Sequence, residues 1–203
     1  MLRSIDQALH SRAAKPVVWL LALLPVMWLL WALFSDGLGA NPAEALIRST
    51  GDWALSGLCV ALAVTPLSHC LQTDALKNLR RLIGLFAFFY VALHALSYAW
   101  LDMAWSGAAL LDDVVQRPFI GVGALAALLL LLLALTSTYA AVQAMGVQRW
   151  KRLHQCVHLA AWMALLHFYW MRAAKNDVQE VALYVAVIAL LQTWRVWQRR
   201  VRS

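Results

Sequence analysis

Leu125-Ala126-Ala127-Leu128-Leu129-Leu130-Leu131-Leu132-Leu133-Ala134-Leu135 runs for eleven residues without a polar side-chain atom. A membrane β-strand alternates polar with apolar residues, and this run does not alternate. It reads as helix in an apolar medium. Extended outward it becomes Phe119–Ser137, close to the roughly 20 apolar residues that cross a bilayer. Five further stretches qualify or nearly qualify: Val17–Phe34, Thr50–Leu67, Leu82–Leu101, Leu153–Trp170 and Val178–Trp197. The second and sixth in chain order have the shortest strictly apolar cores and extend through Thr, Ser or Gln.

The whole chain agrees with that reading. Of 203 residues, 63% are hydrophobic and 13% charged, against about 25% charged in a soluble domain. No repeat or low-complexity tract stands out, and the connections are too short for a second domain. Residues 1–203 are therefore expected to form a single all-α transmembrane domain, a six-helix bundle. Arg3, Arg12 and Lys15 precede the first stretch as they would a secretory signal. Its apolar part is longer than a usual signal core and no A-x-A site follows, so it reads as an uncleaved first helix.

Charge orients the bundle. With six spans both termini share a side, and on it fall Arg3, Arg12, Lys15, Lys77, Arg80, Arg81, Arg149, Lys151, Arg152, Arg195, Arg199, Arg200 and Arg202, 13 of the 17 basic residues. Only Arg48, Arg117, Arg172 and Lys175 fall on the other. The positive-inside rule places both termini in the cytoplasm. The net charge of +7 is what membrane anchoring against anionic lipid produces, and it calls for no nucleic-acid partner. Of the acids, only Asp6 and Asp74 fall inside. Cys59, Cys70 and Cys156 form no CxxC pair, so no disulfide framework or zinc site is implied.

No Asp, Glu, Lys or Arg occupies the middle of a span, but His94, His154, His158 and His167 lie within spans. Intramembrane ionisable groups are functional candidates by default; the plainer alternative is a neutral imidazole bonded to a neighbouring helix. Depth separates them. His94 is twelve residues past Leu82 and His167 fourteen past Leu153, about 18 and 21 Å from the inner face. Two imidazoles at one depth on facing helices suit the two axial positions of a haem iron. His154 is thirteen residues before His167, about 20 Å lower on the same helix and, on an ideal helix, about 140° round from it. It is a candidate for a second, inner site, with either this helix distorted or the two sites on different flanks of it. The third span offers Arg80, Arg81 and Leu82 at that depth rather than a histidine, which leaves His69 or water as the other ligand. His158 reads as a hydrogen-bonding or packing residue, and His10 as a solvated one.

Haem propionates pair well with arginine. Arg80, Arg81, Arg149 and Arg152 cluster at the inner face, where simple anchoring also explains them. Arg117, on the side the rule disfavours, is the stronger candidate for a propionate or partner contact. Asp102, Asp112 and Asp113 form an acidic patch between spans three and four that could steer a basic partner. Most of the eleven Trp fall near span ends, as aromatic belts do.

Several phrases together resemble one family: Leu38-Gly39-Ala40-Asn41-Pro42, Ser49-Thr50-Gly51, Val64-Thr65-Pro66-Leu67, Arg80-Arg81-Leu82-Ile83-Gly84-Leu85, Tyr90-Val91-Ala92-Leu93-His94, Arg117-Pro118-Phe119-Ile120, Leu135-Thr136-Ser137, Arg149-Trp150-Lys151-Arg152-Leu153-His154 and His167-Phe168. Their order and spacing, from about residue 16 to 170, are similar to the MsrQ (YedZ) family. Its members are haem-binding membrane subunits of the bacterial periplasmic methionine sulfoxide reductase system. The wider group resembles the ferric reductase-like transmembrane domain shared with NADPH oxidases. The resemblance implies a b-type haem subunit of the bacterial inner membrane, with one haem or two. Such a subunit passes electrons to MsrP, a periplasmic molybdopterin enzyme that repairs oxidised methionine. It implies a quinone or a cytoplasmic flavin reductase as donor, and FMN is also attributed to the family. Carried over residue by residue, the haem histidines fall on His94, His154 and His167. His158 and His69 have no counterpart. No GxGxxG or P-loop is present, so NAD(P)H would be oxidised by another protein.

Other readings are a different haem-dependent oxidoreductase (a ferric reductase or cytochrome b561-like protein), a proton-coupled transporter, or a cofactor-free assembly factor. Transporters of that kind need acids within the membrane or broken helices, and no span carries an acid in its middle. The topology is open to direct test. A reporter enzyme active only in the periplasm should be silent when fused after Arg202 and active when inserted near Ala108; the reverse pattern would overturn the orientation.

Overall fold

The structure, a computed structural model, describes Asp6, Leu9, residues 11–173 and residues 178–202. Arg3, His10 and Lys175 lie outside the described residues, as does the side chain of Arg202. The described residues contain helices and connections but no strand. They divide into two compact units, Met1–Asp102 and Met103–Ser203.

The first unit holds α1 (Ala14–Phe34), α2 (Pro42–Cys70) and α3 (Ala75–Leu101). Asn41 starts α2: its side chain accepts from Glu44 N–H at 3.2 Å and donates to the Glu44 carboxylate at 3.3 Å. Pro42 occupies the first helical position, where its missing N–H costs nothing. This cap extends α2 well before the apolar stretch that begins at Thr50. Leu55, Leu58 and Leu62 of α2 and Leu79, Phe86 and Ala87 of α3 are buried. A Cβ on Gly57 would lie 3.2 Å from Ala87 Cα. Small residues let the two backbones approach that closely.

Pro25 lies inside α1 and withholds an N–H from the helical ladder. One residue on, the Tyr90 hydroxyl of α3 enters the ladder. It donates to Ala22 O at 2.7 Å and accepts from Val26 N–H at 3.2 Å. A single hydroxyl thus serves both partners of one i→i−4 pair and ties α1 to α3. The rest of α1 presents Leu20, Leu21, Leu24, Trp28 and Trp31 outward, the arrangement of a helix solvated by lipid.

The second unit holds α4 (Gly107–Gln116), α5 (Pro118–Leu135), α6 (Tyr139–Met145), α7 (Val147–His154), α8 (Val157–Ala173) and α9 (Gln179–Arg202). Arg117, extended as the residue before a proline should be, separates α4 from α5. Gly146, with φ of +76°, makes the turn from α6 to α7. The buried residues of α5 are Ala126, Leu130 and Leu133; those of α8 include Ala160, Ala161 and Leu165.

Five helices, α1, α2, α3, α5 and α9, are long and apolar enough to cross a membrane. The remaining apolar stretch forms α8, of 17 residues, because the helix expected from Leu153 to Trp170 is interrupted. Cys156 N–H closes on Leu153 O and His158 N–H on Gln155 O, both i→i+3. His154 and His167 therefore do not share one continuous helix, which corrects the sequence expectation: His154 ends α7 and His167 belongs to α8. Each residue in such a tightened turn advances about 120° instead of 100°.

The Tyr90 bridge gives a stability prediction. Tyr90→Phe removes one donor and one acceptor at a proline site and should cost about 1 kcal/mol. A lowered thermal unfolding midpoint in detergent would register the loss; an unchanged midpoint would show that Val26 and Ala22 close on each other unaided.

Candidate functional site

His94 and His167 are held in the same way. In α3, His94 Nδ1 lies 2.8 Å from the backbone oxygen of Ile47 in α2. In α8, His167 Nδ1 lies 2.7 Å from the backbone oxygen of Phe119 in α5. A carbonyl oxygen has no proton, so each ring donates from Nδ1 and carries its lone pair on Nε2. A histidine that ligates a metal commonly donates its other N–H to a carbonyl in this manner.

A glycine follows each acceptor by four residues: Gly51 after Ile47 and Gly123 after Phe119. A helical carbonyl points along the axis toward the residue four ahead, and a side chain there would crowd it. A Cβ on Gly51 would meet His94 Nδ1 at 3.1 Å and Cε1 at 3.2 Å. A Cβ on Gly123 would meet His167 Nδ1 at 2.8 Å and Cε1 at 3.0 Å. Each imidazole thus lies over a glycine and bonds the carbonyl that the glycine leaves open. In the first unit Thr50 also donates to Ile47 O, at 2.9 Å. His94 lies seven residues before the end of α3 at Leu101, and His167 six before the end of α8 at Ala173.

His154 is held differently. Its Nε2 lies 3.2 Å from the Thr136 hydroxyl of α5, which itself donates to Leu132 O at 2.7 Å. Trp150 stacks on the ring at 4.1 Å and donates to Thr136 O at 2.9 Å. The nitrogen engaged is thus Nε2, whereas the carbonyl contacts of His94 and His167 are made at Nδ1. His158 meets two side chains of α9, the Gln192 amide at Nδ1 (2.9 Å) and the Arg195 guanidinium at Nε2 (3.3 Å). Those contacts give it the hydrogen-bonding part expected of it.

The arginines fall into two groups. Arg80, Arg81, Arg149 and Arg152 are exposed. Arg117 pairs with Asp113 at 2.9 Å, Arg48 with Glu44 at 3.6 Å, and the buried Arg172 with Glu180 at 2.5 Å. Each of these three is charge-matched within its own unit. Among the described residues no group of three or more His, Cys, Asp and Glu could hold a metal ion. A bare ion would find no chelating set, whereas a porphyrin-held iron needs only axial donors.

The sequence reading singled out the histidines and missed what holds them. Ser49-Thr50-Gly51 and Phe119 entered only as parts of family phrases, without a role. The available signal was glycine inside an apolar helix, which costs about 1 kcal/mol against alanine and asks for a reason.

Residues 50–166 match the model of the ferric reductase like transmembrane component family. That range contains His94 and His154 and ends one residue short of His167. The chain is 55% identical over 185 residues to a protein of Polaromonas naphthalenivorans named the haem-binding subunit MsrQ of protein-methionine-sulfoxide reductase. The alignment covers 91% of this chain and 84% of that one. The chain belongs to the MsrQ family. MsrQ relatives of the same name from Bordetella pertussis (47% identity; 92% of this chain, 91% of the relative) and Caulobacter vibrioides (42%; 91% and 87%) agree. No solved structure matches the chain significantly. Membership in a transmembrane family, with five apolar helices of spanning length, makes this MsrQ homologue a multi-pass membrane protein.

Proposed function

We propose that this chain is the haem-binding membrane subunit of a methionine sulfoxide reductase system and passes electrons across the bacterial inner membrane. The observation that carries the reading is the matched pair of imidazoles, each donating Nδ1–H to a backbone carbonyl and presenting Nε2. This is the donor chemistry of an axial haem ligand, and the relatives are named for haem binding. In this reading His94 and His167 would hold the haem iron; assigning both to one iron rests on their depths in the sequence. A bound b-type haem would supply reversible one-electron transfer. The chain's own part is to orient the two imidazoles, fix their protons on Nδ1 and surround them with apolar helices that exclude water.

With six spans, the 13-to-4 distribution of basic residues favours both termini in the cytoplasm. Six spans require α8 to cross as well, with α7 leaving its basic residues at the inner surface. Arg80 and Arg81 then lie at the inner face and Arg117 at the outer, each suited to a propionate. Electrons would enter from a quinone or a cytoplasmic flavin reductase. They would leave to an MsrP-like periplasmic molybdopterin enzyme for repair of oxidised protein methionine. His154, beside the basic α7, is the residue for an entry-side cofactor, a second haem or FMN. Its Nε2 contact with Thr136 must open before it can ligate through that nitrogen, which makes this the more labile station.

Purified protein should show a low-spin haem spectrum. His94→Ala or His167→Ala should each abolish that signal, while His154→Ala should leave it intact and slow reduction of the haem by donor. Retention of a full bis-imidazole spectrum in either of the first two variants would overturn the ligand assignment. Loss of the outer haem in His154→Ala would make His154 one of that haem's own ligands.

A further inference from the structure

The two histidine cradles are one local design used twice. Each unit supplies a helix carrying a carbonyl at position i and glycine at i+4, and a second helix whose histidine follows that carbonyl by 47 or 48 residues. We propose that Gly51 and Gly123 are positioning residues: they hold the Nδ1–H···O=C bonds of His94 and His167 and thereby set the redox potential of the metal those imidazoles ligate. The proposal rests on the haem reading above.

The physical chain is short. An imidazole that donates Nδ1–H gains electron density on the ring, which strengthens Nε2 as a donor to iron. Better donation stabilises the ferric state and lowers the potential. A methyl group at Gly51 or Gly123 would occupy the space of the ring itself. With Nε2 fixed on iron, the ring cannot retreat freely, so the Nδ1 bond to the carbonyl lengthens or breaks. The ligand remains and its electronic support is lost. The two sites are unequally tight. Alanine at 51 asks His94 to give by a few tenths of an ångström from 3.1 Å, whereas alanine at 123 stands at 2.8 Å from His167 Nδ1, inside any ordinary contact.

Two other glycines serve as controls. Gly57 lies in α2 with Gly51 and packs at 3.2 Å on the backbone of Ala87, not on a histidine. Gly84 lies in α3 with His94, and nothing stands within 4 Å of a Cβ there. Gly57→Ala therefore strains the same helix pair without touching a cradle, and Gly84→Ala should be silent.

The experiment is a potentiometric titration of the purified haem-loaded chain and of the four alanine variants, followed by visible spectroscopy. Gly51→Ala and Gly123→Ala should shift the haem midpoint potential upward, the second by more. Gly84→Ala should leave it unchanged, and Gly57→Ala should lower thermal stability without moving it. Wild-type potentials in both cradle variants, or an equal shift in Gly57→Ala, would overturn the positioning role. Should Gly123→Ala fail to fold, nitrogen-15 NMR of histidine-labelled, reduced wild-type protein decides the matter. Two slowly exchanging ring protons on Nδ1 are expected, and their absence would overturn the proposal. Absence of haem from the wild-type protein would instead overturn the functional reading, a result distinct from haem bound at unaltered potentials.

Discussion

A ring nitrogen donating to a backbone carbonyl of the neighbouring helix is the interaction on which the rest of this architecture depends. Within an apolar medium every backbone carbonyl is already engaged in its own helix. A second donor can reach one only where no side chain shields it. That requirement fixes several things together. At both histidines glycine follows the carbonyl by one turn, the two helices approach closely, and the ring faces the partner helix. In the first unit the approach continues at Gly57 against Ala87. In the second, the small residues Ala126, Ala160 and Ala161 are buried on the helices that form the cradle. The small residues of these helices are thus part of the histidine geometry and not only of membrane packing.

The membrane helices were legible because hydropathy acts over many residues and tolerates local exceptions. Their ends were less so, because capping ends a helix and hydropathy does not. Asn41 and Pro42 start α2 eight residues before the expected Thr50, and α3 begins at Ala75, seven residues before the expected Leu82. The break after His154 has no signal in the local sequence, although the offset of about 140° from His167 left a distorted helix as one of two options. Leu153-His154-Gln155-Cys156-Val157 contains neither glycine nor proline, and the turn there is a matter of which carbonyl each N–H selects.

The candidate site divides along the same line. His94 and His167 were legible because an ionisable side chain in an apolar helix is conspicuous. Ile47 and Phe119 were not, because their contribution is a backbone oxygen that any residue would supply. The family phrases around Gly51 and Phe119 carried this information without explaining it. The structure converts them into a spacing rule, carbonyl then glycine one turn on, that can be sought in other apolar helices facing a histidine.

The four intramembrane histidines also differ in what would have to move for each to act. His94 and His167 are oriented by backbone, which cannot rotate away, so their Nε2 atoms keep a fixed direction. His154 is oriented by the hydroxyl of Thr136 and the indole of Trp150, and a hydroxyl rotor can release it without disturbing a helix. His158 is bound at both nitrogens by Gln192 and Arg195, and using it would mean displacing both side chains. Rigidity therefore falls from the backbone-held pair to the side-chain-held ring. A station that exchanges electrons repeatedly with small reorganisation suits the first kind of holding. A station that meets a transient donor near the basic α7 suits the second.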